Sequence, residues 1–194
     1  MNGMAERSRR PPAEPAKQTP AEPVKRSMAE PVKQTPVDPA SRRIADIVLP
    51  DATALPSAYA EADRRQAVAD LLMGNNFDPF GVPGGPFVLH LCVRDGRLVF
   101  DIHDPAETPV RAVALALGPF RRLIKDYHMI VASHEQAVQE GGHEARIQAI
   151  DMGRRGLHNE GAELLMARLE GRIGLDFETA RRVFTLVCAL HQRI

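Results

Sequence analysis

The sequence predicts an α+β fold, with an antiparallel sheet of three to four strands covered on one face by about four helices. Three observations support this class. The middle of the chain alternates apolar and polar residues, as β-strands do. The segments before and after it repeat apolar residues at helical spacing. Most of the strands precede most of the helices, an order that favours helices segregated to one side of an antiparallel sheet.

The first part of the chain differs in composition from the rest. Eight of its 16 prolines precede residue 40, in an eight-residue repeat that starts at Ala13, Ala21 and Ala29. Proline lacks a backbone donor and disfavours regular structure in its neighbours, and few apolar side chains are present here to offset the chain entropy. We therefore predict a disordered proline-rich arm over residues 1–41 and a single globular α+β domain over residues 42–194.

Charge and composition exclude several classes of protein. Lysine and arginine balance aspartate and glutamate at 25 each, but residues 1–43 carry 9 cationic residues against 5 acidic ones, so the body is mildly acidic. This argues against a broad basic face for duplex nucleic acid. The apolar runs are too short for a membrane span, and the first residues do not resemble a secretory signal. With two cysteines and no disulfide framework, we expect a cytoplasmic protein that does not enter a membrane.

The body begins with a strand and a helix. Ile44–Leu49 is predicted to be a short strand, stopped by Pro50. Ala60–Met73 has apolar residues on one helical face, and Gly74 follows as its stop signal. A glycine- and proline-rich loop over residues 81–86 leads out of this region.

A β-hairpin is the clearest local signal. Two alternating segments flank Asp95-Gly96, the preferred pair for a two-residue type I′ turn. The register that this turn predicts pairs Arg94 with Arg97, Val93 with Leu98, Leu91 with Phe100 and Leu89 with Ile102. All the large apolar side chains then share one face. A third strand over Val110–Leu117 extends the sheet.

Three helical segments complete the body. The first begins at Gly118-Pro119 and carries an apolar stripe from Phe120 to Val138, in which His134 is interpreted as a satisfied core histidine. The second spans Glu144–Leu169, and its glycines at 153, 156 and 161 indicate either a turn or close packing. The third runs from Asp176, a good N-cap, to His191.

Several long motifs resemble a known family. They are residues 119–127, which read PFRRLIKDY, and residues 149–165, which read AIDMGRRGLHNEGAELL. A third segment, residues 169–182, begins with LEG. These residues resemble uncharacterised bacterial protein family 0262 of the UPF series, of the alphaproteobacterial type. The resemblance covers the body and excludes the repeat arm. It implies a small cytoplasmic protein, and it implies neither an activity nor catalytic residues.

Two groups of cations are candidates for binding an anion. Arg121 and Arg122 lie in the first turn of a helix, where the helix dipole disfavours cations, and Lys125 continues their stripe. The alternative is an ion pair of Arg122 with Asp126. The second group is Arg154, Arg155 and His158. The alternative for this group is structural: the glycines at 153, 156 and 161 allow tight helix packing and caps, and the cations then need no ligand.

A weaker candidate lies on the hairpin. The register places His90 opposite Asp101, an arrangement in which a carboxylate orients an imidazole base. His103 follows on the same face, which makes a two-histidine, one-carboxylate metal set conceivable. A cross-strand charge pair is the more common explanation, and we predict no metal.

The leading hypothesis is a non-enzymatic module that recognises an anion, such as phosphate, a nucleotide or a nucleic-acid phosphate, without a cofactor. The sequence contains no phosphate loop, zinc motif or nucleophile elbow. A second hypothesis is docking of a protein partner on an alanine-rich sheet face formed by Ala112, Ala114, Ala116, Val88 and Val99. The third is a hydrolase that uses His90 and Asp101, or His158.

Arg181 and Arg182 are interpreted as a solvated helix face, with Glu178 available to Arg182.

Overall fold

A computed structural model of the chain describes residues 41–50 and 57–191. Its strands are β1 (Ile44–Val48), β2 (Phe77–Pro79), β3 (Phe87–Arg94), β4 (Arg97–His103), β5 (Pro109–Ala116) and β6 (Ile173–Leu175). Its helices are α1 (Ala58–Met73), α2 (Arg121–Gln139), α3 (Glu144–Leu169) and α4 (Phe177–Leu190). The predicted arm lies outside the described residues except for Ser41, so its disorder and the domain boundary stay predictions. The α+β class is confirmed.

The hairpin of β3 and β4 forms as predicted. Asp95 and Gly96 have φ values of 49° and 69°, as a type I′ turn requires. The observed register pairs Arg94 with Arg97 and Leu91 with Phe100. Strand β5 then pairs antiparallel with β4, and the four-stranded sheet has the order β1-β3-β4-β5.

Strand β1 departs from the antiparallel pattern, because it pairs parallel with β3. A parallel pair needs a crossover connection, and α1 lies in that connection. Asn75, just after α1, secures the edge of β1: its Oδ1 accepts from the Ile44 amide at 2.7 Å, and its Nδ2 donates to the Ile44 carbonyl. The sequence also did not predict the two-stranded sheet of β2 and β6.

One face of the main sheet forms the hydrophobic core with the helices. Alternate residues of β3, β4 and β5 are buried there, together with α4 residues such as Phe184 and Val187. Helix α4 is buried continuously from Val183 to Ala189 and packs against α1 and α3. A helix that is apolar on all sides is expected to be central. The Asp176 side chain caps its start by accepting from the Thr179 amide.

Helix α3 is continuous, which decides between the two interpretations of its glycines. A Cβ at Gly161 would lie 2.3 Å from the ring of Phe184, so a side chain there would clash with α4. Gly161 therefore reflects close helix packing. A Cβ at Gly156 would meet no atom within 4 Å, and nothing in the structure explains that glycine.

Helix α2 follows a 3-10 turn at Gly118–Phe120 and buries most of its predicted stripe. Val138, however, is 55% exposed. His134 is only half-buried: it stacks on Tyr59 with 3.9 Å between ring centroids, and among the described residues its buried Nδ1 has no hydrogen-bond partner. It is therefore a stacking residue at the core's edge rather than a satisfied core histidine.

Within the part of the chain described, none of the helices combines the length and apolar character that crossing a bilayer requires.

Candidate functional site

A cleft of about 340 Å³ lies where α1, α3 and α4 meet, and we call it the arginine cleft. Its lining residues recur at helical spacing on each of the three helices, which turns one face of each helix toward the cleft. They are Asp63, Gln66, Ala67 and Asp70 on α1, Arg154, Arg155 and His158 on α3, and Arg181, Arg182 and Thr185 on α4.

Asp63 is the centre of a polar network at the cleft. Its two carboxylate oxygens accept hydrogen bonds from Arg154 at 2.7 Å and from the Tyr127 hydroxyl at 3.0 Å. Arg154 also donates to Asp151, at 2.6 Å. Burial raises the pKa of Asp63 despite the opposing charge of Arg154 and the hydrogen bond from Tyr127. Arg154 is therefore a structural partner as well as a lining residue, because removing it would leave a buried carboxylate without its cation.

His158 is the most buried polar residue in the cleft, at 3% exposed. Burial lowers its pKa to about 3, and the nearby charges of Arg154 and Arg181 act in the same direction. Its Nδ1 lies 3.3 Å from the Thr185 hydroxyl. Among the described residues its Nε2 has no hydrogen-bond partner, since Asp63 Oδ2 is 3.7 Å away. The imidazole is therefore neutral and keeps one nitrogen unpaired.

The rim of the cleft consists of more exposed arginines. Arg155, whose side chain is 67% exposed, donates to Asp151 at 2.9 Å. Arg181 pairs with Glu178 at 2.6 Å, and Arg182 donates to the Gly74 carbonyl at 2.6 Å. Within the described part of the chain, the buried Nε atoms of Arg181 and Arg182 have no partner. Both arginines are half-buried rather than fully solvated, and Glu178 pairs with Arg181 instead of Arg182.

The predicted anion-binding residues separate into two groups. Arg154, Arg155 and His158 line the cleft, whereas Arg121, Arg122 and Lys125 do not. Arg122 forms ion pairs with Asp126, at 3.4 Å, and with Glu160 on α3. The predicted alternative for Arg122, an ion pair along its own helix, is thus present. Arg121 and Lys125 are exposed on the surface of α2.

On the hairpin, the predicted register brings His90 opposite Asp101. Their side chains take other partners. His90 Nε2 lies 2.9 Å from Glu107, and Asp101 lies 3.3 Å from His103 Nε2. Burial lowers the pKa of His103, but Asp101 and the backbone and carboxylate of Glu107 outweigh it, so the pKa is raised. The expected His90–Asp101 pair is therefore replaced by three other histidine–carboxylate contacts, the third between His103 and Glu107 at 3.3 Å.

Sequence reasoning missed the α1 and α4 sides of the cleft. The spacing of Asp63, Gln66 and Asp70 on α1 is the signal that was available, because it places three polar side chains along one helical face. Tyr127 stood within an apolar stripe, where its hydroxyl required a buried partner. Neither signal identifies which helix faces which.

Comparisons with known proteins agree with the motifs. Residues 41–193 match the family described as "Uncharacterised protein family (UPF0262)". A UPF0262 protein of Granulibacter bethesdensis is 58% identical over 80% of this chain and 93% of its own length. One from Acidiphilium cryptum is 60% identical over 71% of this chain and 84% of its own, and one from Rhizobium meliloti is 49% identical over 78% and 95%. No solved structure matches. The chain therefore belongs to the UPF0262 family.

Proposed function

We propose that the protein binds a small anionic ligand, of the phosphate or carboxylate class, in the arginine cleft. The observation that carries this proposal is the convergence of two arginine pairs, from α3 and α4, on one concave site. Arginine presents a planar fork of donors that suits phosphate and carboxylate. Arg181 and Arg182 each retain a buried Nε without a partner among the described residues. A ligand oxygen would supply the missing acceptors.

The charges around the cleft support a small ligand over a polymer. Four arginines line it together with two carboxylates, Asp63 and Asp70, and Arg155 and Arg181 also pair with Asp151 and Glu178. Asp63 is already committed to Arg154 and Tyr127. Because the body outside residues 1–43 has more acidic than basic residues, a positive potential at this cleft would be local. Local potential favours a compact anion over the long backbone of a duplex.

Binding is a better fit than hydrolysis. Thr185, His158 and Asp63 follow one another in space, an order that resembles a nucleophile–base–carboxylate set. The Thr185 hydroxyl, however, donates to the Arg181 carbonyl at 3.1 Å, and Asp63 lies beyond hydrogen-bond distance of His158. With a pKa of about 3, His158 is a poor base at neutral pH. A general base requires a pKa nearer the working pH.

The test compares thermal unfolding in phosphate and in chloride at equal ionic strength. A ligand at 100 times its Kd stabilises the folded state by about 2.7 kcal/mol. Phosphate also stabilises proteins generally, by exclusion from their surface. The specific effect is therefore the part of the Tm increase that is lost in Arg155→Gln and Arg181→Gln.

Matched controls come from the other arginine group. Arg121→Gln and Lys125→Gln remove exposed cations outside the cleft, so they are expected to keep the full phosphate response. An equal response in all four variants would contradict the proposal. Loss of the response in the α2 variants alone would move the anion to the start of α2.

A second candidate function is docking of a protein partner on the alanine-rich face. Ala112, Ala114 and Ala116 are exposed on β5, an edge strand of the sheet. A sheet edge with exposed small side chains suits strand addition or packing by another chain, and Asp101 and Arg97 lie opposite Ala112 and Ala116. This candidate predicts no specific phosphate response, together with self-association that Ala114→Glu abolishes.

A further inference from the structure

We propose that His90, His103 and Glu107 form a binding site for a divalent transition-metal ion on the sheet face opposite the hydrophobic core. The proposal is independent of the anion-binding function. The hairpin register supplies the two histidines: His90 lies opposite Asp101, and His103 lies two residues further along the same face of β4. Their rings stack with 4.2 Å between centroids.

The loop from β4 to β5 supplies the carboxylate. Asp104 holds this loop, because its Oδ1 accepts from the amides of Ala106 and Thr108, each at 2.9 Å. Glu107 has a φ of 62°, the left-handed conformation. Its Oε2 lies 2.9 Å from His90 Nε2 and 3.3 Å from His103 Nδ1. Three donor atoms of the two types that bind transition metals therefore lie close to one another.

These separations are close to those of a metal site. The three donor atoms lie within 4.8 Å of one another. Ligand bonds of about 2.0–2.2 Å in a tetrahedron place neighbouring donor atoms about 3.4 Å apart. Two imidazoles with one carboxylate suit zinc or ferrous iron, whereas magnesium prefers oxygen ligands alone. Three protein ligands leave a position open for water or another small ligand.

Asp101 is placed to position His103. Its Oδ2 lies 3.3 Å from His103 Nε2, the nitrogen that the proposed metal does not use. A metal-bound histidine usually donates its second N–H to a carboxylate of this kind. Without metal, His103 Nδ1 contacts the Glu107 carbonyl at 3.1 Å, and its buried Nε2 makes no well-aligned hydrogen bond within the described residues. Metal at Nδ1 would fix the proton on Nε2, facing Asp101.

Binding requires two local adjustments. His103 Nδ1 must release the Glu107 carbonyl, which it contacts at 3.1 Å, and one ring must rotate. The two rings are only 22° from parallel, so an ion cannot lie in both ring planes until one ring rotates. The side chain of His103 is 12% exposed, whereas that of His90 is 32% exposed. His90 is therefore the ring with room to turn. We expect its NMR resonances to move the most when metal binds.

The test is calorimetric titration of the full untagged chain with Zn²⁺, with Mg²⁺ as a parallel titrant. We expect one Zn²⁺ per chain, and no heat from Mg²⁺. Glu107→Gln and His103→Gln are expected to weaken Zn²⁺ binding at least 100-fold. Asp101→Asn, which removes a positioning carboxylate and no ligand, is expected to weaken it about 10-fold. His143→Gln, an exposed histidine elsewhere, serves as the matched control and is expected to change nothing.

Folding of each variant is checked by its Tm in EDTA. If a variant does not fold, the wild-type chain still decides the question, through imidazole ¹⁵N spectra recorded with and without Zn²⁺. Shifts confined to the rings of His90 and His103, with the metal on His90 Nε2 and His103 Nδ1, are the expected result. The proposal is overturned if the spectra show Zn²⁺ on other histidines, if His143→Gln weakens binding as much as His103→Gln, or if no stoichiometric binding occurs.

Discussion

The neutral state of His158 follows first from its burial and second from the two guanidinium groups beside it. Protonation would put a third cation close to Arg154 and Arg181, with little water to solvate it. Its pKa of about 3 lies far below the ordinary histidine value of about 6.5. Between those two pH values the unfolded chain therefore binds a proton at this residue that the folded chain does not.

This difference predicts a pH dependence of stability with a definite sign. The contribution of His158 is constant above about pH 6.5 and is lost as the pH falls toward 3, at about 1.4 kcal/mol per pH unit. The raised pKa of Asp63 acts in the opposite direction, so the comparison must be made with His158→Gln, which retains Asp63. Urea unfolding of both proteins between pH 4.5 and 7.5 is expected to show a shallower acid loss in the variant.

NMR titration gives a direct check on the same residue. The His158 ring is expected to show no protonation shift down to pH 5 in the folded chain, and to titrate normally in urea. A folded-state midpoint near 6.5 would mean that the imidazole is solvated and that the cleft is more open than described.

At the residue level, only the α3 side of the arginine cleft could be predicted. Helical spacing places Arg154 and His158 on one face, with Asp151 one turn before Arg154, and this needs no knowledge of tertiary structure. Asp63 is 91 residues from Arg154 in sequence, so their contact depends on how α1 and α3 pack. The spacing of residues along each helix does not indicate how the helices pack against each other. The partners of Arg181 and Arg182 were missed for the same reason.

At the scale of elements, the contact between α3 and α4 predicts opposite effects for two glycines of one helix. Gly161→Ala would place a Cβ 2.3 Å from the buried ring of Phe184, so the helices must separate or the ring must leave its position. We expect a loss of about 1–3 kcal/mol in the free energy of unfolding. At Gly156 the space is open, and Gly156→Ala is expected to stabilise the chain by about 0.5–1 kcal/mol through helix propensity.

Chemical denaturation of the two variants checks this pair. Both variants replace glycine by alanine within α3, so helix propensity contributes equally to each. The difference between their free energies of unfolding therefore measures the cost of the contact with Phe184. Equal stabilisation by both would show that α3 and α4 are further apart at Gly161 than the structure has them.

The elements that the sequence predicted are those with local signals. The β3–β4 hairpin has its turn, its alternation and its partner strand within 17 residues, so the register follows from the turn. Strands β2 and β6 have three residues each and pair across about 95 residues of chain, which leaves too little alternation to detect. The parallel pairing of β1 depends likewise on a crossover through α1.

At the scale of the molecule, three contacts tie the start of the described region to strands β2 and β3. The Arg42 carbonyl accepts from the Phe77 amide, and the Arg43 carbonyl accepts from the Phe87 amide, each at 2.9 Å. The Arg42 guanidinium pairs with Asp78 at 2.6 Å. The contacts that hold this region therefore include Arg42 and Arg43, close to Ser41, where the family match begins. The proline repeat ends just before this point.

This placement predicts a sharp boundary for truncation. Deleting residues 1–38 is expected to leave the Tm unchanged, because the proline repeat offers little apolar surface to bury. Deleting residues 1–43 removes both backbone contacts and the Arg42–Asp78 pair, and is expected to lower the free energy of unfolding by about 2–4 kcal/mol. Thermal unfolding of the two truncated chains, beside limited proteolysis of the full chain, measures this boundary. A stable proteolytic fragment that starts well before Ala29, or a large Tm decrease on deleting residues 1–38, would instead mean that the arm packs against the domain.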